Sequence, residues 1–409
     1  MTTNRRIVII GAGLAGLRTA ENLRRLGHTG PIALIGAEKY PPYDRPPLSK
    51  SYLESENAPT PFLRPREAID ALDIDLRLMS RAVGLDPDAR LVHLCDAADE
   101  PYDVLVIATG AVPRVLPGTA PRAGLHVLRT VDDARELAAD IRRSGELLIL
   151  GAGFIGCEVA ATAQGIGTRV TLIEALPAPL IRVAGEDVSN EVVAMHRAHG
   201  VELRAGTRVE RLTGEDRVTG VMLSTGEELP GTSILVALGV KPDVDWLSGS
   251  NLEIGDGIMC DAVGRTSAPE VFALGDVAFW EPLRPGLAGR HEHWTTAADQ
   301  AVVVAQNILG GANGKVAPFE EVPYFWSDLY GVKLQALGWP SGDLATRPFR
   351  AGASSDRLVV LYVDDQQKLT GILGFGTPRI VMSARRLLVD GISADDAASA
   401  LGLTETVLT

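Results

Sequence analysis

Two Gly-x-Gly-x-x-Gly strings stand 140 residues apart, each after an apolar run, and beyond about residue 320 the pattern changes to short strands followed by helical segments. Together these predict an α/β chain with two Rossmann-like domains and a third, smaller C-terminal α/β domain. The apolar runs are Ile7 to Ile10 before Gly11, Gly13 and Gly16, and Leu147 to Leu150 before Gly151, Gly153 and Gly156. In such a strand-turn-helix unit the first glycine permits the tight turn. The second lets backbone approach a pyrophosphate, and the third lets helix pack against strand. The helix N-terminus adds unpaired N–H groups and a positive dipole end. A lone copy is weak, because glycine-rich turns also merely join strands to helices; here the context fits twice.

Along the chain, residues 6–10 read as a strand, followed by a turn and a helix with Leu14, Leu17, Ala20 and Leu23 on one face. A strand over Ile32–Ile35 then ends near Glu38. The second unit repeats this, with a strand at Leu147, a helix through Val159 and Ala163, and a strand over Arg169–Ile173 running into Glu174. Between the units, a buried-type strand over 104–110 closes on Gly110 and meets a proline-punctuated stretch over 113–121, which looks like a domain crossing. A matching strand over 234–239 closes on Gly239 and is again followed by proline, Pro242. The two crossings bracket an inserted domain. After it, residues 271–276 form a short apolar strand ending in Gly275 and Asp276. The expected boundaries are therefore 1–110 with 241–319 for the first domain, 111–240 for the inserted one and 320–409 for the third. Strands over 358–363 and 369–375 and helices from Arg379 and Ala394 fill the third. Segments 51–58 and 284–289 read as ordinary surface loops.

Length and composition agree: 409 residues exceed one compact core, and 46% hydrophobic with 22% charged residues is ordinary for a globular chain. No apolar stretch approaches the ~20 residues that a bilayer span requires. Residues 1–6 run straight into the first strand, leaving no room for a secretory signal, so a cytoplasmic location is expected. The formal net charge of −13 argues against general affinity for nucleic acid. Only Cys95, Cys157 and Cys260 are present, none in Cys-x-x-Cys spacing, which disfavours a disulfide framework or a bound iron–sulfur cluster. His291 and His293 alternate without an evident third ligand, so no metal is expected.

A carboxylate ending the second strand, about 20 residues beyond the first glycine, can bond both hydroxyls of an adenosine ribose. Glu38 and Glu174 both stand there. A 2′-phosphate would be repelled, so Glu174 argues for NADH over NADPH, with Arg182 softening the preference. On the residues alone both domains could hold nicotinamide nucleotides, and either glutamate could be a solvated strand end.

The strings Ala108-Thr109-Gly110 and residues 266–276, closing on Gly275-Asp276, resemble the glutathione reductase-like fold of pyridine-nucleotide-dependent flavoproteins. Within that group, Tyr43-Asp-Arg-Pro-Pro-Leu-Ser-Lys50, Gly151-Ala-Gly-Phe-Ile-Gly-Cys-Glu158, Pro323-Tyr-Phe-Trp-Ser-Asp328 and Lys333-Leu-Gln335 resemble the FAD-dependent, putidaredoxin reductase-like ferredoxin reductases of bacterial cytochrome P450 and aromatic-ring dioxygenase systems. The resemblance implies FAD in the first domain, NADH in the inserted one, and electron transfer to a separate small, acidic iron–sulfur ferredoxin. No cysteine lies where disulfide reductases or flavin peroxidases keep theirs.

Residue by residue, the resemblance implies that Gly11, Gly13, Ala15, Gly16, Glu38, Val83 and Ala108 contact FAD, with Arg45 and Arg129 at its phosphate or flavin edge and Asp276 on its ribityl chain. Lys50 would lie beside flavin N5 and pair with Glu158, which also contacts the nicotinamide carboxamide. Gly151, Gly153, Phe154, Ile155, Gly156, Glu174, Arg182 and Gly239 complete the NAD site. Trp294 would sit near the isoalloxazine, and Trp326 near the flavin edge facing the partner. Packing, shielding or docking would place either tryptophan equally well. A basic collar for an acidic ferredoxin is expected from Arg290, Arg379, Arg385 and Arg386. Rival readings are rubredoxin reductase, an NADH oxidase, and an apoptosis-inducing-factor-like redox switch.

Overall fold

The computed structural model describes residues 4–95, 98–281, 290–310, 318–319, 322–351 and 357–404. It divides into two compact units, one comprising Met1–Asp44, Thr60–Val112 and Lys241–Pro323, the other Arg45–Pro59, Pro113–Val240 and Tyr324–Thr409.

In the first unit five parallel strands lie in the order Val271–Ala273, Val104–Ile107, Ile7–Ile10, Ile32–Ile35, Asp75–Arg77. The strand Ile7–Ile10 is central and buried on both faces, which explains why its four residues are all apolar and β-branched. The helix Leu14–Arg25 turns Leu17, Ala20 and Leu23 inward, as its apolar spacing predicts, and packs on the helix Trp294–Gly310. An antiparallel meander of Ala82–Asp86, Leu91–Leu94 and Glu100–Pro101 is inserted before the fourth strand in chain order.

The second unit repeats this plan. Its parallel sheet runs Glu202–Arg204, Arg169–Ile173, Glu146–Leu150, Ile234–Val236, Leu125–His126, again with a meander, Val209–Thr213, Gly220–Leu223 and Glu228–Pro230, before the strand Ile234–Val236. The helix Val131–Ser144 is defined at both ends. Thr130 accepts from the Asp133 backbone while the Asp133 carboxylate accepts from the Thr130 backbone, and Gly145 closes the helix in the left-handed region.

The same unit contains a five-stranded antiparallel sheet in the order Tyr324–Leu329, Val332–Gly338, Leu369–Phe375, Arg357–Val363, Ala345–Ala351. The helix Pro378–Asp390 covers one face of it, starting on a proline at its first position and ending at Gly391. A shorter helix, Ala394–Ala400, follows, capped by the Ser393 side chain.

Segment 51–58, expected as a surface loop, contains the helical turn Ser51–Glu54 with Tyr52 and Leu53 buried. The turn lies against the helix Val131–Ser144, and Arg142 donates to the Leu53 carbonyl at 2.6 Å. Segment 284–289 lies outside the described residues. No helix among the described residues is long and apolar enough to cross a membrane.

Candidate functional site

In the first unit the chain leaves the central strand at Gly11 with φ +116°, where a Cβ would stand 2.1 Å from the Ala108 carbonyl oxygen. Only glycine fits that turn. At Gly16 a Cβ would meet the Gly11 carbonyl oxygen, so helix and turn are in close contact. Around Gly13 the opposite holds: a Cβ would meet no protein atom within 4 Å. Gly13 is also the N-cap of the helix Leu14–Arg25, with no capping side chain and no acidic residue in the first turn. Open space at a helix N-terminus that carries neither a capping side chain nor an acid fits a dinucleotide pyrophosphate.

The Tyr43 hydroxyl donates to the Glu38 carboxylate at 2.5 Å. Gly275 would carry a Cβ only 3.4 Å from that of Ala15, which brings the turn Gly275–Val277, and so Asp276, to the helix bearing Ala15. The Gly275 N–H donates to Gln300 at 2.8 Å. Gln300 is buried on its helix together with Thr296 and Asn307, and nothing in its sequence context distinguishes it. The Trp294 indole N–H donates to Asp44 at 2.7 Å. Val83 stands half-exposed on the meander strand Ala82–Asp86.

The second unit repeats the cradle. Gly151 has φ +104°, its Cβ position lies 2.5 Å from the Ala237 carbonyl oxygen, and Gly153 again faces open space. Glu174 accepts from the Ala152 N–H at 2.6 Å and the Leu176 N–H at 2.8 Å. These bonds pin the carboxylate beside the glycine turn, the geometry ribose recognition needs. Phe154 opens the helix Phe154–Gly165 with its ring 4.9 Å from that of Phe325. Ile155, Arg182 and Gly239 are exposed. Arg45 donates to the Arg129 carbonyl, so these two candidates touch.

Lys50 and Glu158 meet as an ion pair with Nζ 2.8 Å from Oε2. Glu158 is buried, and it receives more than the lysine: Ser49 donates to Oε2 at 2.5 Å and Ser327 to Oε1 at 2.7 Å. Sequence reasoning missed both serines, although each lies inside a quoted string. Trp326 projects from the opposite face of its strand to Ser327, stacked at 6.0 Å on Tyr324.

Two cysteines are buried, and burial pushes the Cys260 thiol up to about 12 and that of Cys157 higher still. Neither supplies a thiolate at neutral pH. The rings of His291 and His293 lie 5.8 Å apart, and burial lowers both below the usual imidazole value, His293 to about 4. Arg290 does not belong to an exposed collar. Its side chain is 6% exposed, bonded to the Asp276 carbonyl and paired with Glu292 at 2.7 Å, because it is drawn in under the turn that carries Asp276.

Two glycine cradles, each on a parallel sheet, define a protein of two dinucleotides. The pyridine nucleotide-disulphide oxidoreductase model matches residues 5–301 and a reductase C-terminal model matches 324–402, and the chain belongs to the pyridine nucleotide-disulphide oxidoreductase family. It is 36% identical over 387 residues to rhodocoxin reductase of Rhodococcus erythropolis, covering 93% of this chain and 89% of the relative. Over 391 residues it is 36% identical to the ferredoxin–NAD(+) reductase component of the p-cumate 2,3-dioxygenase system of Pseudomonas putida, covering 95% and 94%. The covalent putidaredoxin reductase–putidaredoxin complex contains a chain superposing with a TM-score of 0.89 at 30% identity, over 96% of this chain and 95% of that one.

Proposed function

We propose that this chain is an NADH-dependent ferredoxin reductase that passes electrons through FAD, one at a time, to a small acidic iron–sulfur ferredoxin serving a cytochrome P450 or a ring dioxygenase. FAD belongs to the first glycine cradle, with Gly11, Gly13, Ala15, Gly16, Glu38, Val83, Ala108, Asp276 and Trp294, together with Arg45, Lys50 and Arg129. NADH belongs to the second, with Gly151, Gly153, Phe154, Ile155, Gly156, Glu158, Glu174, Arg182 and Gly239. Domains 1–110 with 241–319, 111–240 and 320–409 then divide the work into flavin binding, nicotinamide binding and partner contact. A cytoplasmic location completes the proposal, where NADH is made and three cysteines outside any disulfide remain reduced.

The observation that carries this reading is the Lys50–Glu158 pair, on a turn where the sulfur-based relatives would need cysteine. Bound FAD accepts two electrons with a hydride and releases them singly, which suits a one-electron acceptor. The protein supplies the rest. The helix N-termini at Gly13 and Gly153 hold pyrophosphates, Glu174 selects the unphosphorylated ribose, and Lys50 provides positive charge where negative charge arrives with the hydride. Glu158 holds that lysine in place.

Purified protein should be yellow and bleach under argon with NADH much faster than with NADPH. It should reduce cytochrome c rapidly only when a ferredoxin is added. Colourless protein unable to take up flavin would overturn the reading. Rubredoxin-dependent turnover without ferredoxin-dependent turnover would replace it by rubredoxin reduction, and rapid oxygen consumption without any partner by an oxidase.

A further inference from the structure

We infer that Ser49 and Ser327 are positioning residues that fix the orientation of the Glu158 carboxylate toward Lys50. The inference rests on the reading that Glu158 and Lys50 serve hydride delivery from NADH. A lysine alone cannot fix a carboxylate, because an ammonium is a point charge that tolerates rotation of its partner about the last side-chain bond. Here the two oxygens are distinguished. Oε2 takes Lys50 and the Ser49 hydroxyl, while Oε1 takes the Ser327 hydroxyl at 2.7 Å and a weaker contact from the Asp328 N–H at 3.4 Å. Twisting the carboxylate plane away from this orientation would break both serine bonds at once, whereas a half-turn only exchanges its two equivalent oxygens.

Both serines are themselves held. Ser49 is 2% exposed, and its carbonyl accepts from Thr162 at 2.9 Å, one turn beyond Glu158 on the same helix. Ser327 is 1% exposed and lies in the strand Tyr324–Leu329, paired in register with Leu334. Two residues earlier on that strand, Phe325 packs on Phe154. The helix Phe154–Gly165 is thus gripped at 154, 158 and 162, successive positions on one face, by Phe325, by Ser327 with Ser49, and by the Ser49 carbonyl. Glu158 is the middle of that grip and the one position where charge, not packing, is held.

The test compares Ser327→Ala, Ser49→Ala, Glu158→Ala and the double variant Ser327→Ala/Glu158→Ala in the FAD-loaded protein. Anaerobic stopped-flow reduction by saturating NADH should slow about 10-fold in each serine variant, the loss of roughly one directed bond to a charged group. FAD content, NAD+ affinity measured by fluorescence titration, and bleaching by dithionite should stay within threefold of wild type. The double variant should be no slower than Glu158→Ala, because a residue acting through Glu158 has nothing left to position. A crystal structure of Ser327→Ala should show the carboxylate rotated or split between orientations. Wild-type reduction rates in both serine variants, additive loss in the double variant, loss of FAD, or a carboxylate unmoved in the crystal would each overturn the inference. If Glu158→Ala itself reduces at the wild-type rate, the reading of the site fails first; if it is slow while the serine variants are not, only the positioning role fails.

Discussion

The Trp294 indole N–H and the Asp44 carboxylate are bonded at 2.7 Å across 250 residues of sequence. Asp44 lies inside the Tyr43 to Lys50 string and Trp294 opens the helix Trp294–Gly310, so the bond ties the chain leaving Glu38 to the helix whose Gln300 holds Gly275. A bond to a charged acceptor at a half-buried site contributes about 1.5 kcal/mol. Trp294→Phe and Asp44→Ala should each lower the urea midpoint by at least that equivalent, and the double variant should fall no further than the worse single one. Additive losses would mean that the two residues stabilise the unit separately.

Lys50→Met removes the charge but keeps most of the side-chain length. With the positive charge gone, flavin reduction by NADH should slow by at least about 100-fold, roughly the 3 kcal/mol expected of an electrostatic contact felt mainly in the transition state. FAD retention through gel filtration should change little. Stopped-flow reduction at the wild-type rate would remove Lys50 from the mechanism.

Glu174 is held by two backbone N–H groups, at 2.6 and 2.8 Å, so its position does not depend on the nucleotide. Glu174→Ala should lower kcat/KM for NADH about 10-fold and raise that for NADPH relative to it, since both the ribose bond and the repulsion of a 2′-phosphate are lost. If the exposed Arg182 favours the phosphate, Glu174→Ala/Arg182→Ala should return the NADPH rate toward its original value. An unchanged NADPH to NADH ratio in Glu174→Ala would place nucleotide selection elsewhere.

The fold was legible because its signals are local. Gly16 and Gly156 each abut the glycine five residues earlier, so the string itself records the turn even though Gly11 and Gly151 also meet the distant Ala108 and Ala237, and apolar runs such as Ile7–Ile10 mark buried strands directly. The site was legible only where a known string carried it. Glu158 meets Ser49 across 109 residues and Ser327 across 169, and no periodicity or spacing reports such a meeting, because the serines reach it through strand register and helix packing. The segment 51–58 was misread for a related reason. Tyr52 and Leu53 are too few to show a helical period, yet the turn that carries them lies against the helix Val131–Ser144. Arg290 shows the limit of reading charge as surface, since a guanidinium can instead cap a carbonyl under a turn.

His196 is fully buried, with Nδ1 2.7 Å from the Tyr330 hydroxyl, while Tyr330 stacks on His199 at 3.7 Å. Burial, aided by the neighbouring His199, lowers the His196 pKa from 6.5 to about 4. The folded value is depressed, so below pH 6.5 the unfolded chain binds a proton that the folded chain refuses. The stabilisation is therefore complete above 6.5 and is lost as pH falls toward 4, a loss on the order of 3 kcal/mol. Urea midpoints should drop steeply across that window in wild type. His196→Gln should be less stable at pH 7 but should show a visibly shallower drop; an equal slope in the two proteins would assign the acid sensitivity to other groups.

With Arg290 drawn inward, the proposed ferredoxin collar falls on the helix Pro378–Asp390, where Arg379, Met382, Arg386 and Val389 are exposed at helical spacing. That helix covers the same face of the C-terminal sheet as Tyr324 and Trp326: Gly374, whose Cβ position abuts Val381 of the helix, pairs with Gln335, which pairs with Trp326. Basic and apolar side chains interleaved on one stripe suit an acidic partner, steering by charge and docking by packing, in a chain whose net charge is −13. Arg386 keeps Asp390 within 3.4 Å, but both are exposed, so the pair is weak and a partner carboxylate can compete for it. Arg379→Glu/Arg386→Glu should raise the KM for ferredoxin at least about 10-fold at low ionic strength and flatten its dependence on salt. Reduction of an uncharged quinone by NADH should be unaffected. A variant that retains wild-type KM and salt dependence with ferredoxin would move the collar to another face, because screening acts only on charges that the partner meets.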